Sequence, residues 1–435
     1  MKIKTFLLLT LVLSVSIMLP GFAAAVISTW ILFILIRRAT PERDRGTLTG
    51  LLSAALLMRL ALFIILQYLV FSRGMTDIFG DARDNIIQGT IFADYFRGEF
   101  DIGRVLSVDR YNTHSMSVFN GLYFLIFGMD IIFLKYINML AMLAAGWLIY
   151  DFLRRTYSAT AGLTACAIVL FWPTLVFWSI TGLKEAHLIF CLAAIFWVIR
   201  RLADGLRWTE KLLYLLALAA CTGYTVLLKY KMMFPILFLE LVLLACYYIL
   251  RNRRTARARG RLVFFASVLF AAGVLTFHGL VFQKLKDLYG VVFSYYVGSL
   301  NTLGWNYVIV PPDSSQMYNP AFIVKYFAGA WLHFLAEPFP WHMYSPSLLS
   351  TVPEMAVWYM LLLFSAAGLI KLKRRGKIAD FVPMLIFFVL YVSSLGMSVA
   401  NIGTVIRFRD AVMPITAILA ACAFFEPSGR TADGD

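Results

Sequence analysis

A chain of 435 residues that is 61% hydrophobic and only 14% charged, with mean hydropathy +0.79, is not a soluble globular protein, because it has too little polar surface to cover itself. The formal net charge of +15 would suit a nucleic-acid ligand, but the basic residues gather in short runs between apolar segments, as cytoplasmic loops of polytopic membrane proteins do. Membrane lipids are therefore expected as partners, and nucleic acid is not.

The first apolar run follows Met1-Lys2-Ile3-Lys4 and imitates a signal peptide, but its hydrophobicity continues to Ile36, so a retained anchor is expected. Five basic clusters come next: Arg37 to Arg45, Arg154 with Arg155, Arg200 to Lys211, the arginines from Arg251 to Arg261, and Lys371 to Lys377. Placing all five in the cytoplasm puts spans near 22–36, 49–72, 130–152, 159–178, 180–199, 211–228, 231–250, 262–282, 353–370, 380–400 and 411–425. The expected fold is an all-α polytopic membrane protein with about 11 to 12 transmembrane helices, the larger count applying if residues 5–20 cross separately.

Parity then excludes two apolar runs from crossing. Residues 116–128 and 321–337 each lie between ends that face outward, so they are expected as interfacial or re-entrant helices on the outer face. Trp305, Trp331, Trp341, Tyr318, Tyr326 and Tyr344 suit anchoring of that layer. One transmembrane domain is expected over residues 1–426, with outer loops at 73–117 and 283–354 and a short cytoplasmic tail at 427–435. Cys166, Cys191, Cys221, Cys246 and Cys422 all lie in apolar runs without metal-ligand spacing and read as core residues.

The polar stretch after the second span contains Gly80-Asp81-Ala82-Arg83-Asp84-Asn85. Carboxylates at the mouth of a helix in so apolar a chain are a site hypothesis. Asp84 falls three residues after Asp81 and shares roughly one helical side with it. Solvated loop carboxylates, or Asp81 as a helix cap, are the plainer alternatives. Lys184-Glu185 lie in a turn short enough to expose both heads, where a local ion pair is the alternative. Arg407 and Arg409 stand on the outer side against the positive-inside pattern and need an anionic partner, with lipid headgroups as the competing one. Lys229 and Lys231, at another outer turn, suit lipid contact.

Arg59 lies mid-span and is expected to turn inward, with Glu240 as a candidate partner. His114, His187, His333 and His342 all fall outside the cytoplasm, and nothing in their spacing indicates a metal. His333 and Glu337 are four apart and read as a hydrogen-bonded pair.

The order of these pieces carries a resemblance. A span is followed by a loop opening with Gly80-Asp81 and running through Asn85, Gln88, Phe92 and Tyr95, then by an apolar stretch ending Leu122-Tyr123-Phe124-Leu125-Ile126-Phe127-Gly128. A helix with Lys135 near its outer end comes next, then Trp172 to Glu185, and finally Asn401-Ile402-Gly403-Thr404-Val405-Ile406-Arg407-Phe408-Arg409. This resembles the GT-C fold membrane glycosyltransferases that use polyprenyl-phosphate sugars, of the protein mannosyltransferase and aminoarabinose transferase type. It covers most of residues 49–200 and the last helix pair. The chain departs from the pattern in separating its loop acids by Arg83, which leaves open which of them is the base.

The resemblance implies an inverting transfer of sugar from a polyprenyl-phosphate donor to a lipid, glycan or protein acceptor, at the extracytoplasmic face of a bacterial inner membrane. In that reading Asp81 deprotonates the acceptor and Asp84 assists. Glu185 is a second acid, and Arg407, Arg409 and Lys184 bind the donor phosphate. No cofactor is identified, and a divalent metal is left open. A lipid-linked polysaccharide polymerase or ligase is the rival enzyme, and a secondary transporter the rival without chemistry; no inverted repeat supports the latter.

Overall fold

The computed structural model describes residues 20–75, 77–99, 114–202, 204, 207–228, 278–301, 305–311, 315–342 and 346–427. Among these the chain is helical, with one isolated bridge between Asn306 and Asn401. It divides into two compact units. The first is drawn from Met1–Val198, Leu212–Lys231 and Ala417–Asp435, and the second from Ile199–Lys211 and Met232–Thr416.

In the first unit, α1 (Pro20–Ala39) is followed by α2 (Glu42–Phe71), which absorbs Arg43 and Arg45 that were expected in a loop. At 1.5 Å per residue α2 is about 45 Å long, more than a hydrocarbon core requires. Its buried positions Leu48, Leu52, Ala55, Leu56, Arg59, Phe63, Gln67 and Val70 recur at helical spacing and face the unit. The opposite face leaves Leu57, Ile64, Ile65 and Tyr68 exposed, as a lipid-facing surface does.

Next come α3 (Gly80–Phe96) and α4 (His114–Phe127), then the long α5 (Ile131–Thr156), started by the Asp130 side chain accepting from the Phe133 amide. Helix α6 (Ala159–Phe171) starts on a Ser158 cap. It breaks by 62° into α7 (Pro173–Ser179), because Pro173 has no amide to continue the ladder. Helices α8 (Glu185–Leu202) and α9 (Trp208–Leu228) follow. Tyr157 at the α5–α6 corner donates to the Phe425 carbonyl at the end of the chain.

Helices α3 and α4 approach closely because glycines line the contact. A Cβ built on Gly121 would lie 2.5 Å from the Phe92 Cβ, and one on Gly89 would lie 2.6 Å from the Asn120 Cβ. Gly121→Val therefore separates the pair and lowers stability by about 1–3 kcal/mol, whereas Gly80→Ala, which meets no atom within 4 Å, leaves it unchanged. Thermal unfolding of the purified variants measures the difference.

In the second unit, α10 (His278–Leu300) is followed by α11 (Pro320–Ala336), whose Asn319 cap and Pro320 at the first helical position fix its start. A short helical turn at Pro346–Leu349 precedes α12 (Val352–Arg374), which is followed by α13 (Val382–Ser398) and α14 (Ile402–Arg409). The last helix of the chain, α15 (Met413–Phe424), belongs to the first unit from Ala417 onward.

Among the described residues, four helices are long and apolar enough to cross a membrane: Glu42–Phe71, Ile131–Thr156, Val352–Arg374 and Ile378–Ser398. The bent α6–α7 pair makes a fifth if it is one span. Segments 114–127 and 320–336, expected not to cross, are short apolar helices of 14 and 17 residues. The expected spans at 231–250 and over most of 262–282 lie outside the described residues, as does Glu240. Arg59 does turn inward, and its described partners are the Ser179 hydroxyl at 2.9 Å and the Ala55 carbonyl.

Candidate functional site

The first unit brings together three segments far apart in sequence. Asp77, between α2 and α3, is 1% exposed, and its Oδ2 lies 2.9 Å from the Lys135 Nζ of α5. The same oxygen accepts from the Gly182 amide at 3.0 Å. From α5, Asn138 donates to the Thr181 and Leu183 carbonyls at 2.6 and 3.1 Å, and Gln67 of α2 accepts from Lys135. Phe79 packs its ring against Phe177 and Trp178. The turn at 180–184 is thus fastened from both sides.

Gly182 also shows how close the loops come. A Cβ there would meet Ile86, Asp77 and Ala82 at 3.3 to 3.5 Å, so the turn lies against the first turns of α3. These are the turns that carry Asp81 and Asp84. Both carboxylates are exposed, and Arg83 between them is exposed as well. Phe79 occupies the cap position of α3, and Asp81 stands in the first turn, where a negative charge suits the helix dipole. On the facing side Lys184 is half-buried, while Glu185 opens α8 with 2% exposure. The structure therefore sets the 180–184 turn against the start of α3, with Asp77 and Lys135 as the joint between them.

Asp77 is the residue that sequence reasoning missed. Lys135 was singled out as a basic residue near the end of its helix, but no spacing rule links it to an acid 58 positions earlier. The one available signal was that a lysine inside an apolar helix requires a counter-charge.

Arg407 and Arg409 both belong to α14, started by Asn401 accepting from the Thr404 amide, and they differ in surroundings. Arg407 is half-buried. Arg409 is 2% exposed and donates to the Glu337 carbonyl and the Met355 sulfur, with its guanidinium over the Trp358 ring at 4.9 Å. It locks α14 to α12 and to the end of α11. Lys229 and Lys231 lie outside the described residues.

The expected His333–Glu337 pair is present at 2.7 Å, and His342 joins it with Nδ1 3.0 Å from both carboxylate oxygens. Elsewhere, His187 Nδ1 lies 3.3 Å from the Tyr224 hydroxyl. Among the described residues no group of three or more His, Cys, Asp or Glu side chains is disposed to hold a metal ion. Although His333, His342 and Glu337 cluster, their donor atoms face one another rather than a common point.

Burial alone would raise the Glu337 pKa, but hydrogen bonds from His333, His342 and the Phe339 amide hold it below the ordinary carboxylate value. A depressed folded-state pKa means that its stabilising contribution is present above the unfolded value near 4.5 and is lost as pH falls through the folded one. The wild type accordingly loses more thermal stability than Glu337→Gln between about pH 5 and pH 3, where carboxylates titrate, which a pH series of melting curves measures.

Residues 116–279 match the family model described as dolichyl-phosphate-mannose-protein mannosyltransferase. The match points to a membrane glycosyltransferase of the GT-C type. The family resemblance read from the residues is thus shown over residues 116–279, which run from α4 to the start of α10; the segments with Asp81 and with Arg407 and Arg409 lie outside it. No curated protein matches the chain.

Proposed function

We propose that the protein transfers a sugar from a polyprenyl-phosphate donor to a hydroxyl acceptor at the extracytoplasmic face of a bacterial inner membrane, with inversion at the anomeric carbon. The observation that supports this reading is the Asp77–Lys135–Gly182 joint, which holds the start of α3, the helix that carries Asp81 and Asp84, against the 180–184 turn. Exposed carboxylates on a braced helix start suit proton abstraction, because an acceptor from water or membrane reaches them without rearrangement of the core.

Asp81 takes the acceptor proton, and Asp84 shares that side of α3. Glu185, buried at the start of α8, orients the reacting groups. Donor phosphate charge is met by Lys184 at the same turn. As the bond between the anomeric carbon and phosphate oxygen breaks, the acceptor oxygen bonds to that carbon from the opposite side. The proton passes to Asp81 and polyprenyl phosphate leaves.

Proteoliposomes carrying a labelled polyprenyl-phosphate sugar test this. Release of polyprenyl phosphate that depends on Asp81 is expected. Release of a diphosphate would favour the polymerase, and sugar uptake without lipid cleavage the transporter.

A further inference from the structure

The segment from Glu337 to His342 in the second unit has a construction that structural packing does not require. The Glu337 side chain is 0% exposed, yet it receives His333 Nδ1, His342 Nδ1 and the Phe339 amide. A carboxylate accepts only, so both imidazoles donate through Nδ1, and each presents Nε2 away from the acid as a hydrogen-bond acceptor in its neutral form. The His333 ring lies flat on Tyr307, with centroids 4.5 Å apart at 4°, and is 18% exposed. His342 is the more open of the two at 30%.

Beside them is an aromatic face. Trp341 is 71% exposed and stacks on Phe339 at 4.8 Å and 8°, while His342 meets both rings edge-on. The stack fixes the indole plane, so its outer face is presented ready-made. A tryptophan that only anchors the chain in lipid needs no buried carboxylate orienting the histidine beside it, and burying one is costly unless it is hydrogen-bonded. A flat apolar face beside an oriented acceptor suits a ligand with C–H groups on one side and hydroxyls at its rim.

We propose that Trp341 and His342 form a saccharide-binding subsite, the indole taking the face of a pyranose ring and His342 Nε2 accepting from a ring hydroxyl, with Glu337 as the positioning residue. This deepens the transferase reading and rests on it for the source of the sugar.

The test uses the full chain in nanodiscs free of alkyl glycosides, with saturation-transfer NMR to methyl glycosides of mannose, glucose, galactose and N-acetylglucosamine. At least one glycoside is expected to receive saturation, and Trp341→Ala and His342→Gln each to reduce it at least fivefold. Displacement by a short-chain polyprenyl-phosphate mannose would assign the ring to the donor, and simultaneous binding to the acceptor; either outcome supports the subsite. Absence of binding by every glycoside, or binding untouched by both variants, overturns it. So does brominated-lipid quenching that Trp341→Ala abolishes, which would make the indole a membrane anchor. Loss of transfer in Asp81→Asn with no glycoside bound at Trp341 leaves the transferase standing without this subsite. Binding at Trp341 without any transfer does the reverse.

Discussion

Asp77→Ala destabilises the first unit by about 3–5 kcal/mol, because it leaves the Lys135 ammonium inside the protein without its acid. Lys135 has a side chain only 1% exposed and a second, weaker contact at Gln67, 3.4 Å away. The Gly182 amide loses its acceptor in the same variant. Lys135→Met in the Asp77→Ala background removes the stranded charge, and most of the loss is expected to return. Asp77→Asn falls between, since its amide oxygen still accepts from Gly182. Unfolding of the purified variants, followed by circular dichroism, gives these values. A single variant within about 1 kcal/mol of wild type would show that the pair is solvated and not the brace described here.

Asp81→Asn lowers the transfer rate by about 10²–10⁴-fold, the range for removing a positioned general base, with little effect on stability. The side chain keeps its size and stays exposed in the first turn of α3, and the change removes its negative charge and its capacity to accept a proton. Asp84→Asn, on the same side of the helix, costs about tenfold or less if it only assists, a small share of one base's contribution. Single-turnover rates with a labelled lipid donor separate this from weakened binding. If Asp84→Asn were the more damaging of the two, the base would be Asp84. Equal activity of both variants with wild type would remove the first loop from the chemistry.

Much of the helical layout was legible because it depends on local pattern. The apolar runs near 49–72, 130–152, 353–370 and 380–400 correspond to helices long enough to cross, and 116–128 and 321–337 to short ones. The break at Pro173 was not expected: residues 159–178 read as one span, but a proline without an amide divides them into α6 and α7. The reach of α2 was misjudged. Arg43 and Arg45 read as loop residues, but charged residues are good helix formers once Pro41 has started the turn ahead of them.

By itself the sequence determined the membrane class, the spacing of many helices and the polar segments that contain Asp81, Lys184 and Glu185, since composition and periodicity are properties of neighbouring residues. Only the tertiary structure decided which charges are buried and with what. Asp77 and Asp81 look alike in one polar stretch, yet the first is buried on Lys135 and the second is exposed. Arg407 and Arg409 look alike in one motif, yet Arg409 is packed over Trp358 and bonded to Glu337. His342 joined Glu337 and His333 through a bend in the chain that no helical period encodes. Desolvation sets the role of an ionised group, and desolvation depends on what distant segments pack around it.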